Sequence, residues 1–376
     1  MTRPASQRPH PPAPVLALAG GFTAGHVMPG IAVAAALSQL RPDLRLLFLG
    51  RAGGFEEELA KKAGLDFTGL PGAPWLGMNT VTRLRSLVLL TPAVLSARRI
   101  LRARNIVGCA SLGSYAAIAP GFATASLRRS LVLLESNAVP GLAHRLLRPV
   151  ARTSLVGAFW SAHTRGVQRT GVPIRAEIEA AGRTPRSPSN SRLLVLGGSL
   201  GDDFLNRAAP DVAAALRRSV PELRILHQCG RRSPPDVVRA AYAAAGVEAE
   251  VTPFVDDMAR ALTWADAALS PAGAISLHEL AAAGVPTIAV PLGGAAGPHQ
   301  EVNAAAFTRA TGCPVHHHHG WSATAVARDL ETWLIRDPAT WHAARQRLQT
   351  MEPPGAADRC ARALLAACGE TPTETR

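Results

Sequence analysis

Residues 193–201 read LLVLGGSLG, and near the start of the chain residues 15–26 read VLALAGGFTAGH. Each stretch is a short apolar run that ends on a glycine turn. Each then opens into a helical pattern, Ile31–Leu40 in the first case and Leu205–Arg218 in the second. A parallel strand buried on both faces reads as such a run. A glycine-rich strand-to-helix turn also aims backbone N–H groups and the positive end of the helix dipole at an anion. Pro29 suits a first helical turn. Neither turn continues into Gly-Lys-Ser/Thr and neither is a clean G-x-G-x-x-G, so neither names its ligand alone.

Working outward, further apolar runs predict strands at Leu44–Leu49, Asn105–Cys109, Leu131–Glu135, Leu223–His227, Ala267–Ser270 and Pro286–Val290. Helical stretches such as Pro235–Ala245 and Leu277–Ala283 lie between them. Strands alternating with helices predict an α/β protein with doubly wound parallel sheets. The polar stretch GRTPRSPSNSR (182–192) reads as a linker, and the pattern restarts after it. Two similar domains facing a cleft are expected.

The chain has 376 residues, 47% hydrophobic and 18% charged, which excludes disorder over most of its length. No apolar run reaches about 18 residues, so no spanning helix is expected. Val15–Ala19 is broken at once by Gly20 and Gly21, which leaves no signal-peptide core; residues 1–13, rich in proline, read as a disordered tail. The five scattered cysteines never form C-x-x-C, which excludes a disulfide scaffold and suits a reducing cytosol. Residues 1–170 hold 20 basic and 6 acidic side chains, a net +14, against a net −1 for residues 171–376. The first half therefore meets something anionic. Aromatic residues are 5% and no nucleic-acid motif is present, so nucleic acid is not the expected partner.

Glu279 sits in the otherwise apolar helical stretch GAISLHELAAAG (273–284), where an unpaired buried carboxylate would cost several kcal/mol. A pair of sugar hydroxyls would satisfy it. Downstream, GPHQEVNA (297–304) places compact polar groups after a strand, where α/β ligands bind. His316–His319 alternate faces if extended, so the four cannot converge on one metal, and no Asp-x-Asp is present; no metal and no cofactor are expected. From Trp75 to Arg104, Leu84, Leu87 and their apolar neighbours are interleaved with Arg83, Arg85, Arg98, Arg99 and Arg102, a pattern suited to an anionic leaflet.

In order and spacing, GGFTAGHVMPG (20–30), ESNAVPG (135–141), GGSLG with Asn206 (197–206), GAISLHELAAAGVP (273–286) and HQEVNA (299–304) resemble the MurG family of peptidoglycan glycosyltransferases. The resemblance covers nearly the whole chain after residue 13. It implies the GT-B fold, two Rossmann-like doubly wound parallel-sheet domains facing a cleft. Residues 14–170 would form the acceptor and membrane-facing domain, residues 171–352 the UDP-sugar domain, and a last helix within about 353–376 would pack back on the first domain. The implied partners are UDP-GlcNAc, a lipid-linked MurNAc-pentapeptide and the cytoplasmic leaflet of the cell membrane, where the enzyme would be peripheral.

The resemblance also implies roles. Glu279 matches a ribose-binding carboxylate, Ser199 the diphosphate loop, Val255 a backbone that reads uracil, and Gln300 a contact to the GlcNAc hydroxyls. Arg175 matches an arginine between the domains; Ala274, Ile275 and Ser276 lie on the donor side. Thr23, Gly25, His26 and Asn137 match positions that close over the sugar and diphosphate, and Ala24 lies on the donor side. Transfer with inversion needs a base for the acceptor hydroxyl, with His26 the first candidate and Glu135 the second. The chain departs from the family pattern at Ser114, Leu134, Val172 and Pro271. A paralogue acting on another acceptor, as in antibiotic synthesis, or an isomerase like UDP-GlcNAc 2-epimerase therefore remains an alternative.

Overall fold

The computed structural model describes residues 13–70, 80–161, 165–189, 191–293, 297–336 and 338–373, without the side chains of residues 80–89, 297, 335 and 336. Two open, wholly parallel sheets organise it. The first comprises β1 (Val15–Ala19), β2 (Arg45–Arg51), β3 (Asp66–Leu70), β4 (Ile106–Ser111), β5 (Ser130–Glu135), β6 (Thr153–Val156) and β7 (Val167–Arg169), in the order β3-β2-β1-β4-β5-β6-β7. The second comprises β8 (Arg192–Leu196), β9 (Arg224–Gln228), β10 (Glu250–Thr252), β11 (Ala267–Pro271) and β12 (Thr287–Val290), in the order β10-β9-β8-β11-β12. The central strands β1, β8 and β11 are buried along their length, apart from a half-exposed Arg192, because helices cover both faces.

Apolar runs located eight of these strands. The other four, β3, β6, β7 and β10, carry polar residues: DFTGL, TSLV, VQR and EVT. Three of them are edge strands with one flank in solvent, so no continuous apolar run marks them. In β6 the buried Ser154 shares a hydrogen bond with His144 Nε2 at 3.2 Å.

The stretch 182–192, expected as a linker, is instead pinned to the second unit. Asp266 accepts from Ser189 N (3.1 Å) and Oγ (2.6 Å), Ser191 N (3.2 Å) and Arg192 N (3.1 Å). Its proline and serine supply turn geometry and hydrogen bonds rather than slack. The chain has already crossed upstream, because Val172 and Ile174 are buried with Leu194, Leu280 and Val285 of the second unit. The last helix, Ala356–Cys368, lies on the first sheet, where Cys360, Ala361 and Leu364 pack with Leu16, Val33 and Leu37.

Candidate active site

In the first sheet the strand order reverses between β1 and β4, and in the second between β8 and β11. Ligands of open α/β sheets bind outside the strand ends at such a point. A small cavity, partly open to solvent, lies there. The first unit contributes Ala24, Gly25 and Met28. Arg175, Ser199, Val255, Ile275, Ser276 and Glu279 line the rest, with Gly198, Gln228 and Phe254. The sequence expectation named Ala24, Gly25, Arg175, Ser199, Val255, Ile275, Ser276 and Glu279, and the fold brings these together. The units touch there: a Cβ on Gly25 would lie 3.9 Å from Ile275 Cγ1.

Glu279 is buried, and Arg175 Nη2 donates to its Oε1 at 3.1 Å. Among the described residues no hydrogen bond reaches Oε2. Desolvation raises the Glu279 pKa, and the Arg175 guanidinium opposes that shift. The helix bearing it, Ala274–Ala283, starts at Gly273 with no side-chain cap and no acidic residue in its first turn. Its first N–H groups are therefore available to an anion. The helix after the other glycine turn, Asp203–Arg217, differs: Asp202 Oδ1 accepts from Phe204 N at 2.9 Å and Leu205 N at 3.4 Å. A carboxylate already occupies that positive end. The 197–201 turn abuts the 229–231 turn, where a Cβ on Gly230 would fall 2.0 Å from Gly201 Cα. Glycine is required on steric grounds there.

His26 is half-buried beside Gly25, with Nδ1 3.0 Å from Thr23 Oγ1. Its ring lies against Gly113, where a Cβ would approach Cδ2 to 3.0 Å. Desolvation lowers its pKa to about 4, so at neutral pH it is an unprotonated imidazole. Glu135 is already engaged: Oε1 accepts from Asn137 N (3.1 Å) and Nδ2 (2.8 Å), and Oε2 from Gly141 N (2.9 Å). Desolvation raises its pKa against those bonds. Glu135 shapes its own loop.

Thr23, Asn137, Ala274 and Gln300 do not line the cavity, and neither do the two candidate bases His26 and Glu135. Asn137 Oδ1 accepts from Asn303 Nδ2 at 3.1 Å, while Ala138 N donates to Asn303 Oδ1 at 2.9 Å, bridging the two units. Ala274 is buried behind the helix start, and Gln300 Oε1 accepts from Leu292 N at 3.0 Å. The Val255 N–H, expected to face a base, donates to Gln228 Oε1 at 3.0 Å.

Sequence reasoning missed Asn303 as a bridge, Gln228 as the group that holds the 254–256 loop, and Glu56. Glu56 is fully buried and accepts from Arg51 N (2.9 Å) and Phe22 N (3.3 Å). It thereby holds Phe22 at φ 75° and sets the path of the first glycine turn. Ser114, one of the departures, has φ 61°, a conformation that favours glycine.

Trp75 lies outside the described residues, as do the side chains of Arg83, Arg85 and Leu87. Farther along helix Thr80–Ala103, Arg98 is half-buried, whereas Arg99 and Arg102 are exposed. Leu95 is 60% exposed, and Leu142, Leu146 and Val150 are exposed elsewhere on the same unit. No helix among the described residues is long and apolar enough to cross a membrane. His316 pairs with Asp329 at 2.7 Å, His317 lies 3.2 Å from Glu301, and the His318 ring stacks on Phe204, so these side chains diverge.

Residues 16–156 match the glycosyltransferase family 28 N-terminal domain, and residues 192–349 match the family 28 C-terminal domain. Two relatives bear the name UDP-N-acetylglucosamine--N-acetylmuramyl-(pentapeptide) pyrophosphoryl-undecaprenol N-acetylglucosamine transferase. That of Xanthomonas campestris pv. campestris (strain B100) is 36% identical over 360 residues, 95% of this chain and 82% of the relative. That of Alkalilimnicola ehrlichii is 37% identical over 360 residues, 94% of this chain and 98% of the relative. The crystal structure of Acinetobacter baumannii MurG superposes with a TM-score of 0.71 at 24% identity, covering 94% of this chain and 99% of that one, and shares the fold.

Proposed function

Since the chain belongs to glycosyltransferase family 28, among the N-acetylglucosamine transferases named above, we propose that it transfers GlcNAc from UDP-GlcNAc to undecaprenyl-pyrophosphoryl-MurNAc-pentapeptide. The product is lipid II, made from lipid I in peptidoglycan synthesis. One observation carries the assignment of the sugar-donor site: Glu279, held by Arg175, stands one turn inside an uncapped helix start in the cleft. Oε2 of Glu279 accepts from a ribose hydroxyl. The N–H groups of Ile275 and Ser276 hold the diphosphate, with Gly198 and Ser199 as the facing wall. Val255 and Phe254 flank the uracil.

His26 removes the proton of the acceptor hydroxyl, which attacks the anomeric carbon opposite the departing UDP, so the configuration inverts. The bond from the anomeric carbon to the diphosphate oxygen breaks as the new glycosidic bond forms. Negative charge growing on UDP is met by the helix N-terminus without a protein-bound metal in the scheme. The arginine-rich first unit docks on an anionic leaflet and so reaches a lipid-bound acceptor at headgroup level. The test is UDP release from UDP-GlcNAc with and without lipid I. Release that requires lipid I, with inverted product, supports the reading. Release without any acceptor, or conversion of UDP-GlcNAc to its 2-epimer, overturns it.

A further inference from the structure

We propose that Glu352 is a positioning residue whose two carboxylate oxygens tie the two units together behind helix Ala274–Ala283, and so set where Glu279 stands in the cleft. The proposal rests on the reading of that helix as the one holding the sugar donor. Glu352 lies between the last two helices, and its two oxygens face different units. Oε1 accepts from Ala158 N at 3.0 Å, in the loop between β6 and β7 of the first sheet. Oε2 stands 3.2 Å from Nε2 of His278, the neighbour of Glu279, within ion-pair reach though outside hydrogen-bond geometry. The backbone is built closely around this carboxylate: a Cβ on Gly157 or Gly171 would come within 3.1 and 3.0 Å of Oε1.

His278 is fixed from its other side, because Nδ1 donates at 2.7 Å to the Ala274 carbonyl, which can only accept. Nε2 is buried without a hydrogen-bond partner, and Glu352 Oε2 is the polar group it faces at 3.2 Å. The other charged groups around Glu352 have partners of their own. Glu179 takes Gly355 N at 3.0 Å, with Arg183 3.9 Å away, Arg345 donates to the carbonyls of Ala283, Gly284, Gly182 and Thr184, and Arg359 donates to those of Thr170, Pro353 and Pro354. The loop holding Ala158 straddles the hinge as well. Phe159 packs on the His278 ring at 4.2 Å, and Trp160 faces His144, which lies 3.7 Å from Glu135. One carboxylate thus sits between the sugar-donor helix and the loop carrying Asn137.

The test compares Glu352→Ala, Glu352→Gln and Glu279→Gln in the full chain, with KM for UDP-GlcNAc and kcat measured separately. Glu352→Ala should raise KM by about two- to thirtyfold, the span of coupling carried by a residue outside the ligand shell, with a smaller change in kcat. The glutamine is the diagnostic variant: its carbonyl can accept from Ala158 and its amide can donate to a neutral Nε2. It should therefore restore the parent's KM, whereas a rise in KM that glutamine does not rescue would mark the carboxylate as mere packing. Folding of each variant is checked by thermal melting. If Glu352→Ala leaves KM unchanged, or Glu352→Gln raises KM as far as the alanine does, the tie is wrong. If Glu279→Gln leaves UDP affinity unchanged, the helix does not hold the sugar donor and both readings fall.

Discussion

Arg231 of the second unit places its guanidinium 4.1 Å from the centroid of the Phe55 ring of the first. The same cation lies 4.7 Å from the Phe254 ring, and Phe55 and Phe254 meet edge to face at 5.8 Å. Glu58 stands 3.4 Å from Nη1. This clasp closes the end of the cleft beside Val255. Arg231→Ala should raise KM for UDP-GlcNAc by about two- to fivefold, the worth of an exposed cation–π contact, and leave kcat nearly unchanged. Arg231→Lys should recover only part of the loss, because the planar stack is gone. Steady-state kinetics of the two variants decides it.

Glu279→Gln should weaken UDP by about 1–3 kcal/mol, the cost of one charge-assisted hydrogen bond. Desolvation lifts the Glu279 pKa, so the charged form is lost from the acid side. UDP affinity should fall as pH drops through that raised pKa. Arg175→Ala removes the opposing charge and should move the fall to higher pH. Calorimetry with UDP across pH reads both.

His26→Ala should cut turnover by about 10²–10⁴-fold, the range for a lost general base, with UDP affinity retained. Because burial lowers the His26 pKa to about 4, the ring stays unprotonated through mild acidity. The parent's kcat should therefore show no loss of a base near the ordinary histidine range. A kcat limb centred there would assign the base elsewhere.

Membrane docking should follow exposed side chains of helix Thr80–Ala103. Replacing Leu95, Arg99 and Arg102 together with Ser, Glu and Glu should release the protein from anionic vesicles and spare UDP binding. Each arginine near such a surface is worth about 1 kcal/mol, so high salt should release the parent as well. Sedimentation with anionic and neutral vesicles tests it; equal binding to both would refute electrostatic docking.

Strands buried on both faces were legible because VLALA and LLVL have no polar residue to hide. Edge strands such as VQR were not, since half of each side-chain set meets water. Glu279 stood out as a charge in an apolar helix, yet nothing in its neighbourhood named Arg175, which is 104 positions away. Family resemblance named Arg175 only as an arginine between the domains, and the fold made the pair. Glu56 was invisible for the opposite reason. In FEEELAKK three glutamates read as one solvated helix face, and only the fold selects the one that turns inward beneath Gly21 and Gly54. The 182–192 stretch misled because its proline and serine describe turns, while Asp266, which fixes them, lies far downstream.

The paired asparagines, Asn137 and Asn303, have a kinetic consequence. They join the units at one place and the Arg231 clasp joins them at another, so any widening of the cleft has to break both. Such widening is a motion of whole domains through solvent, and friction slows it. Adding a viscogen such as sucrose should slow UDP-GlcNAc association with the parent, and the slowing should shrink in a variant whose bridges are already cut.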